Sequence, residues 1–150
     1  MKYKLTIILF VLIVFFSTAN CQILQPVHWS YGAKKISKTE AIIFIKAQID
    51  DGWHIYSVNQ AEGGPVKTTI SFEAPPGYEL IGGIYEPTPI VKYEKVFSMD
   101  VHYFEKAVIF HQKVMLTSKD AVVSGKVSFM ACNHQKCLPP DEVEFHIPIK

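Results

Sequence analysis

Val143, Phe145, Ile147 and Ile149 alternate with Glu142, Glu144, His146 and Pro148 near the end of the chain. A period of two puts one set on a buried face and the other in solvent, so this segment predicts a half-buried strand. Residues 41–49 are rich in β-branched side chains and predict a strand that ends at the turn Asp50-Asp51-Gly52. Residues 53–56 follow as a second strand, 61–65 as a loop, and 68–72 as a third strand closed by Pro75-Pro76-Gly77. Residues 78–85 hold another strand interrupted by Gly82-Gly83, and 107–116 and 121–130 supply two more. No segment sustains a 3.6-residue period with helix caps. Nine Pro and eight Gly punctuate the strands, and that spacing predicts an all-β, immunoglobulin-like antiparallel sandwich.

The first residues break this pattern. Lys2 and Lys4 precede an apolar run at 5–16, interrupted only by Thr6, and Ser17, Thr18, Ala19 and Asn20 follow. A short basic segment, an apolar stretch and then small residues form a secretory signal peptide, and the run is too short to span a bilayer as a mature helix. Processing after Cys21 or after Ala19 fits the small residues, and lipoprotein processing would instead leave Cys21 as an acylated terminus and lipid tether. The expected organisation is a signal peptide over 1–21 and one exported domain over 22–150. Removing 21 of 150 residues leaves 129, enough for a domain to bury its own core.

Charge excludes some function classes. The 15 Lys+Arg are all Lys and nearly balance the 14 Asp+Glu. A nucleic acid or an acidic membrane surface is therefore not the expected partner.

The chemistry concentrates in Cys132-Asn133-His134-Gln135-Lys136-Cys137, which holds both cysteines found beyond residue 21. In an oxidising compartment such a pair is a structural bridge or a redox centre. A bridge closing about six residues contributes only about 2 kcal/mol by chain entropy, against about 3 for fifteen. The intervening residues are polar and belong at the surface. His134 and Lys136 place positive charge beside the sulfurs, which favours thiolate, the attacking species in exchange. The thioredoxin pattern, C-x-x-C at a helix N-terminus, is absent; here the flanks are strands. A third reading is metal ligation by Cys132, His134 and Cys137 with help from His28, His54, His102, His111 or His146, although structural zinc sites normally pair two ligand clusters.

Met130-Ala131-Cys132 and Cys137-Leu138-Pro139-Pro140-Asp141-Glu142-Val143 together resemble the active-site hairpin of the N-terminal periplasmic domain of the thiol:disulfide interchange protein DsbD. Asp51-Gly52-Trp53-His54-Ile55-Tyr56 is similar to that family's D-G-aromatic-x-x-Tyr strand, and Tyr93-Glu94-Lys95-Val96-Phe97 to its cap-loop region. The likeness covers roughly residues 25–150. Two departures stand out: the loop between the cysteines is one residue shorter than in the best-known enterobacterial form, and Lys95 and Val96 replace acidic cap-loop residues. The resemblance implies an immunoglobulin-like fold and a dithiol/disulfide that takes electrons from a thioredoxin-like domain fed by a membrane reductase and passes them to periplasmic disulfide-bonded clients. It implies that Cys137 forms the mixed disulfides and Cys132 resolves them, that Phe97 shields the pair and that Tyr56 walls the site. His134 and Lys136 are candidates for tuning the thiolate. No cofactor beyond the cysteines is expected, and the electron donor is expected to be a separate protein. The competing expectation is a secreted immunoglobulin-like binding module whose Cys132–Cys137 bridge only pins a hairpin.

Overall fold

The computed structural model describes residues 24–73 and 77–150. The expected signal peptide, the acylation site at Cys21 and the Pro75-Pro76 turn lie outside the described residues.

Among the described residues eleven antiparallel strands make the fold: β1 (Val27–Lys35), β2 (Glu40–Ile49), β3 (His54–Tyr56), β4 (Thr69–Phe72), β5 (Tyr78–Tyr85), β6 (Ile90–Glu94), β7 (Met99–Glu105), β8 (Ala107–Leu116), β9 (Val122–Phe129), β10 (Ala131–Cys132) and β11 (Asp141–Pro148). They form three sheets, ordered β1-β2-β8-β5, β11-β9-β4 and β10-β3-β7-β6. The fold is the all-β, immunoglobulin-like sandwich that the alternation predicts. Because β10 follows β9 after the single residue Met130, the third sheet extends the ribbon that begins with β11 and β9.

The core follows from the period of two. Ile43 and Ile45 on β2, Phe110 and Val114 on β8, Val123 and Val127 on β9, and Phe145 and Ile147 on β11 pack in one buried cluster. Each such side chain contributes roughly 1.5–3 kcal/mol on burial. At Gly125 a Cβ would collide with the Ser71 carbonyl oxygen and fall 2.6 Å from Phe145 Cζ, so only glycine lets β4 and the Phe145 ring close on β9 there.

Four strands were not expected from the sequence: the two-residue β10 and the longer β1, β6 and β7. β1 is an edge strand whose alternation of Trp29, Tyr31 and Ala33 is diluted by Ser30 and Gly32. β6 is also at an edge, and its residues are exposed except for the partly buried Glu94, so it has no buried face to advertise. β7 hides its period for the opposite reason: Phe104 faces the main core while Val101 faces a second cluster, and both sides read as apolar. Gly82-Gly83 does not interrupt β5; it is absorbed as a register shift between Ile81 and Tyr85.

Candidate functional site

The turn Asp50-Asp51-Gly52 delivers β3 to the site. Trp53 N–H donates to the Asp50 carbonyl at 3.1 Å, and Gly52 takes φ 81°, a left-handed conformation that glycine adopts without steric cost. β3 then pairs with β10 on one side, Cys132 opposite His54 and Ala131 opposite Ile55. On its other side it pairs with β7, where His54 faces Glu105 and Tyr56 faces Tyr103.

Beyond β10 the chain reverses tightly. Cys137 returns as an antiparallel bridge to Cys132. Asn133 N–H donates to the Lys136 carbonyl at 2.8 Å, and Leu138 N–H to the Ala131 carbonyl at 2.9 Å. The Asn133 side-chain oxygen accepts from the N–H groups of Gln135 at 2.8 Å and Lys136 at 2.9 Å. This side chain substitutes for a backbone partner and fixes the turn, the usual role of Asn in such a position. The two sulfurs are bonded, with Cα atoms 4.0 Å apart.

The two cysteines differ in exposure. Cys132 is 1% exposed, whereas Cys137 lies on the surface. The reason is again the strand period. Ala131, Ile55 and Phe104 turn one face of the β10-β3-β7 sheet into the main core. Cys132, Tyr56 and Val101 occupy the other face as a second buried cluster, with Met99, Tyr103 and Met130 packed against it. Thr68, itself buried, donates its hydroxyl to the Tyr56 carbonyl at 2.5 Å and anchors this strand from behind.

His54 completes the face. Its ring centroid lies 5.3 Å from that of Tyr56 and 5.0 Å from that of Tyr103, and its Nε2 is 3.3 Å from the Tyr56 hydroxyl. Burial lowers the His54 pKa; the Glu105 carboxylate opposes this, His134 adds to it, and Glu94 and Lys92 act more weakly in opposite senses. Burial raises the Tyr56 pKa, helped by the charge of Glu94. Glu94 accepts a 2.7 Å hydrogen bond from Lys92, which holds its carboxyl below the ordinary range.

Of the residues singled out in the sequence, Cys132, Cys137 and Tyr56 come together here. His134 and Lys136 sit exposed on the hairpin between the cysteines. Phe97 lies in the turn between β6 and β7, 36% exposed, and is not a member of the cluster around Cys132; Met99, two residues on, is. Among the described residues no group of three or more His, Cys, Asp or Glu side chains is placed to hold a metal ion, and Cys132 and Cys137 bind each other. Sequence reasoning missed Glu105 and Asn133 as site residues, and named His54 only as a possible extra metal ligand and as part of the family-like strand at 51–56. Asn133 was legible as a turn former; the other two are brought to Cys132 only by strand register.

A β-sandwich that presents a half-buried, half-exposed disulfide on a polar hairpin has the equipment of a thiol–disulfide exchange domain. The sequence model of one family, described as thiol:disulfide interchange protein DsbD, N-terminal, matches residues 22–148. The chain belongs to that family. No curated protein sequence matches it. Among solved structures, the chain is similar to the reduced DsbD N-terminal domain of Neisseria meningitidis, with TM-score 0.55 and 15% identity over 88% of this chain and 94% of that one. It is similar to the N-terminal periplasmic domain of ScsB from Proteus mirabilis, with TM-score 0.58 and 17% identity, covering 83% of this chain and 48% of that one. A third likeness is to the complex between the DsbD and PilB N-terminal domains of Neisseria meningitidis, with TM-score 0.51 and 13% identity over 83% of this chain and 87% of that one. At these identities the likenesses are of fold. Thiol–disulfide interchange is the role that family membership and the bonded cysteine pair support together.

Proposed function

We propose that this chain is an exported, periplasmic protein-disulfide reductase component that relays electrons from a thioredoxin-like or membrane reductase partner to disulfide-bonded clients through Cys132 and Cys137. The observation that carries the reading is the asymmetry of the pair: Cys137 is exposed and Cys132 is 1% exposed. The exposed cysteine is the one that an incoming thiolate meets first, and this supports an order of events. The donor thiolate attacks Cys137 Sγ, the Cys132–Cys137 bond breaks, and the electron pair leaves on Cys132. A second donor thiol then attacks the mixed disulfide, departs as an oxidised donor and leaves the dithiol. In the forward transfer Cys137 attacks a client disulfide, Cys132 attacks Cys137, and the client departs reduced.

The partner class rests on the family and on the solved complex of a similar domain with the PilB N-terminal domain. The sheet that carries the cysteines ends in edge strand β6 and its turn, where Ile90, Val91, Tyr93 and Val96 expose apolar surface. Phe97 in that turn is the residue assigned to shielding the disulfide, Tyr56 to the wall beside Cys132, and His134 and Lys136 to the charge that favours thiolate. No further cofactor enters the reaction. Localisation rests on the family and on the signal peptide read in residues 1–21; no helix of the described residues is long and apolar enough to cross a membrane.

The test is the reduction potential of the pair, measured by equilibrating protein spanning residues 22–150 against glutathione buffers. An exchange centre lies at about −180 to −270 mV; a value below about −300 mV marks a structural bridge and sinks the reading.

A further inference from the structure

Exchange through a buried sulfur raises a proton problem. When the disulfide opens, Cys132 leaves as a thiolate at 1% exposure, and burial disfavours the charged form. When a mixed disulfide on Cys137 must be resolved, the Cys132 thiol has to lose its proton where solvent scarcely reaches. A sulfur in that position needs a neighbour that can take and return a proton.

The strand register supplies one. Cys132 faces His54 across β10–β3, and His54 faces Glu105 across β3–β7. Directly paired residues of an antiparallel ladder put their side chains on the same face, with Cβ atoms about 4.5–5.5 Å apart. The three residues therefore form a row, thiol–imidazole–carboxylate, across three strands of one sheet. The imidazole is held in place by Tyr56 and Tyr103 at centroid distances of 5.3 and 5.0 Å. In the tautomer whose Nε2–H donates to the Tyr56 hydroxyl, at 3.3 Å, Nδ1 keeps its lone pair.

We propose that His54 is the proton-exchange partner of Cys132, taking the thiol proton when Cys132 resolves a mixed disulfide and returning it when the Cys132–Cys137 bond is reduced. The inference rests on the exchange reading above. In the resolving step the proton passes from Cys132 Sγ to His54 Nδ1, the thiolate attacks Cys137 Sγ, and the electron pair of the broken bond leaves on the client's sulfur. In the reducing step the donor's thiolate bonds to Cys137, the pair leaves on Cys132, and the new thiolate is neutralised by a proton that the His54 ring takes up from solvent and passes on. The groups facing His54 are Cys132 from β10, His134 from the hairpin, Tyr56 from its own strand, Tyr103 and Glu105 from β7, and Lys92 and Glu94 from β6. Burial lowers the His54 pKa, which keeps the ring neutral and ready to accept at pH 7, while Glu105 stabilises the imidazolium once formed.

The experiment is stopped-flow reaction of the reduced protein with the aromatic disulfide 5,5′-dithiobis(2-nitrobenzoate), one equivalent, followed by thionitrobenzoate absorbance. The first phase reports attack by Cys137; the second reports resolution by Cys132. In the wild type the second phase should reach a plateau by pH 7. In His54→Phe, which keeps an aromatic ring against Tyr103, it should be roughly a hundredfold slower at pH 7. Its rate should then climb about tenfold per pH unit with the thiolate fraction. Glu105→Gln should move the midpoint of the wild-type rising limb to lower pH, a change that a purely structural role for His54 does not produce. A second phase in His54→Phe and His54→Gln with the wild-type rate and pH profile overturns the proposal, and so does an unmoved midpoint in Glu105→Gln if both His54 variants fail to fold. Loss of the first phase in the wild type is a separate outcome, which removes the exchange reading itself.

Discussion

Cys132 and Cys137 are bonded with their Cα atoms 4.0 Å apart, yet one is sealed at 1% exposure and the other lies on the surface. After reduction, iodoacetamide should label Cys137 at least about ten times faster than Cys132, since reactivity follows thiolate character and access. Peptide mass spectrometry of a time course reads the ratio. In the same sense, Cys132→Ala should accumulate mixed disulfides with thioredoxin-like proteins, and Cys137→Ala should not. Equal labelling of the two sulfurs would contradict the assigned order of attack.

Asn133 holds the hairpin through two bonds from its side-chain oxygen to the Gln135 and Lys136 N–H groups. Asn133→Ala removes both and loosens the turn that keeps the sulfurs adjacent. The disulfide becomes harder to close by about 1 kcal/mol. For a two-electron couple that is an increase of roughly 20 mV in the reduction potential. Equilibration against glutathione checks it, and a more negative value would mean the turn strains the bond instead of supporting it.

Thr68 is buried, and its hydroxyl satisfies the Tyr56 carbonyl at 2.5 Å. Thr68→Val keeps the shape and leaves that carbonyl without this donor, at a cost of about 1–3 kcal/mol. Urea unfolding of the oxidised protein should show a lower midpoint with an unchanged m-value.

Gly125→Ala should be the most disruptive of these changes to the fold. Its new methyl meets the Ser71 backbone and lies 2.6 Å from Phe145 Cζ. Overpacking of this kind costs about 1–3 kcal/mol, and more where backbone must move. Thermal unfolding should report a loss at the upper end of that range; a loss under about 0.5 kcal/mol would show that β4 yields easily.

Acid should weaken the fold through His54. Its pKa in the folded protein is lowered by burial from the ordinary 6.5, so the unfolded chain binds the proton more readily. Stability from this group is whole above pH 6.5 and is lost as pH falls from there through the folded value, below which the loss is complete. His54→Phe should flatten that part of the curve. Melting temperatures of the two proteins between pH 8 and 5 test the sign: the gap between them must shift in favour of His54→Phe on acidification.

The four strands most plainly legible in the sequence share one property: a single buried face. β2, β8, β9 and β11 alternate because one side packs in the core and the other meets solvent or a polar neighbour. β6 failed that test for want of a buried face, and β7 because its two faces serve two different clusters. Within the site, the cysteine pair, its polar hairpin and Tyr56 were all visible as residues in the chain. His54 was visible only as one scattered histidine among several and within the family-like strand at 51–56.

The sequence by itself determined the class of the protein: an all-β chain, with two cysteines closing a short polar turn in a block that matches one family. Those are local facts, set by side-chain period and by spacing along the chain. Which cysteine is exposed, and which groups stand beside the other one, were decided by tertiary structure. Cys132, His54 and Glu105 belong to three strands far apart in sequence and meet only through the ladders β10–β3 and β3–β7. A slip of one residue in either ladder would turn the slipped strand's members of the row to the opposite face. Register is fixed by the burial of Ile55, Phe104 and Ala131 on the far side of the same sheet, a cooperative property of the packed core that no single segment carries.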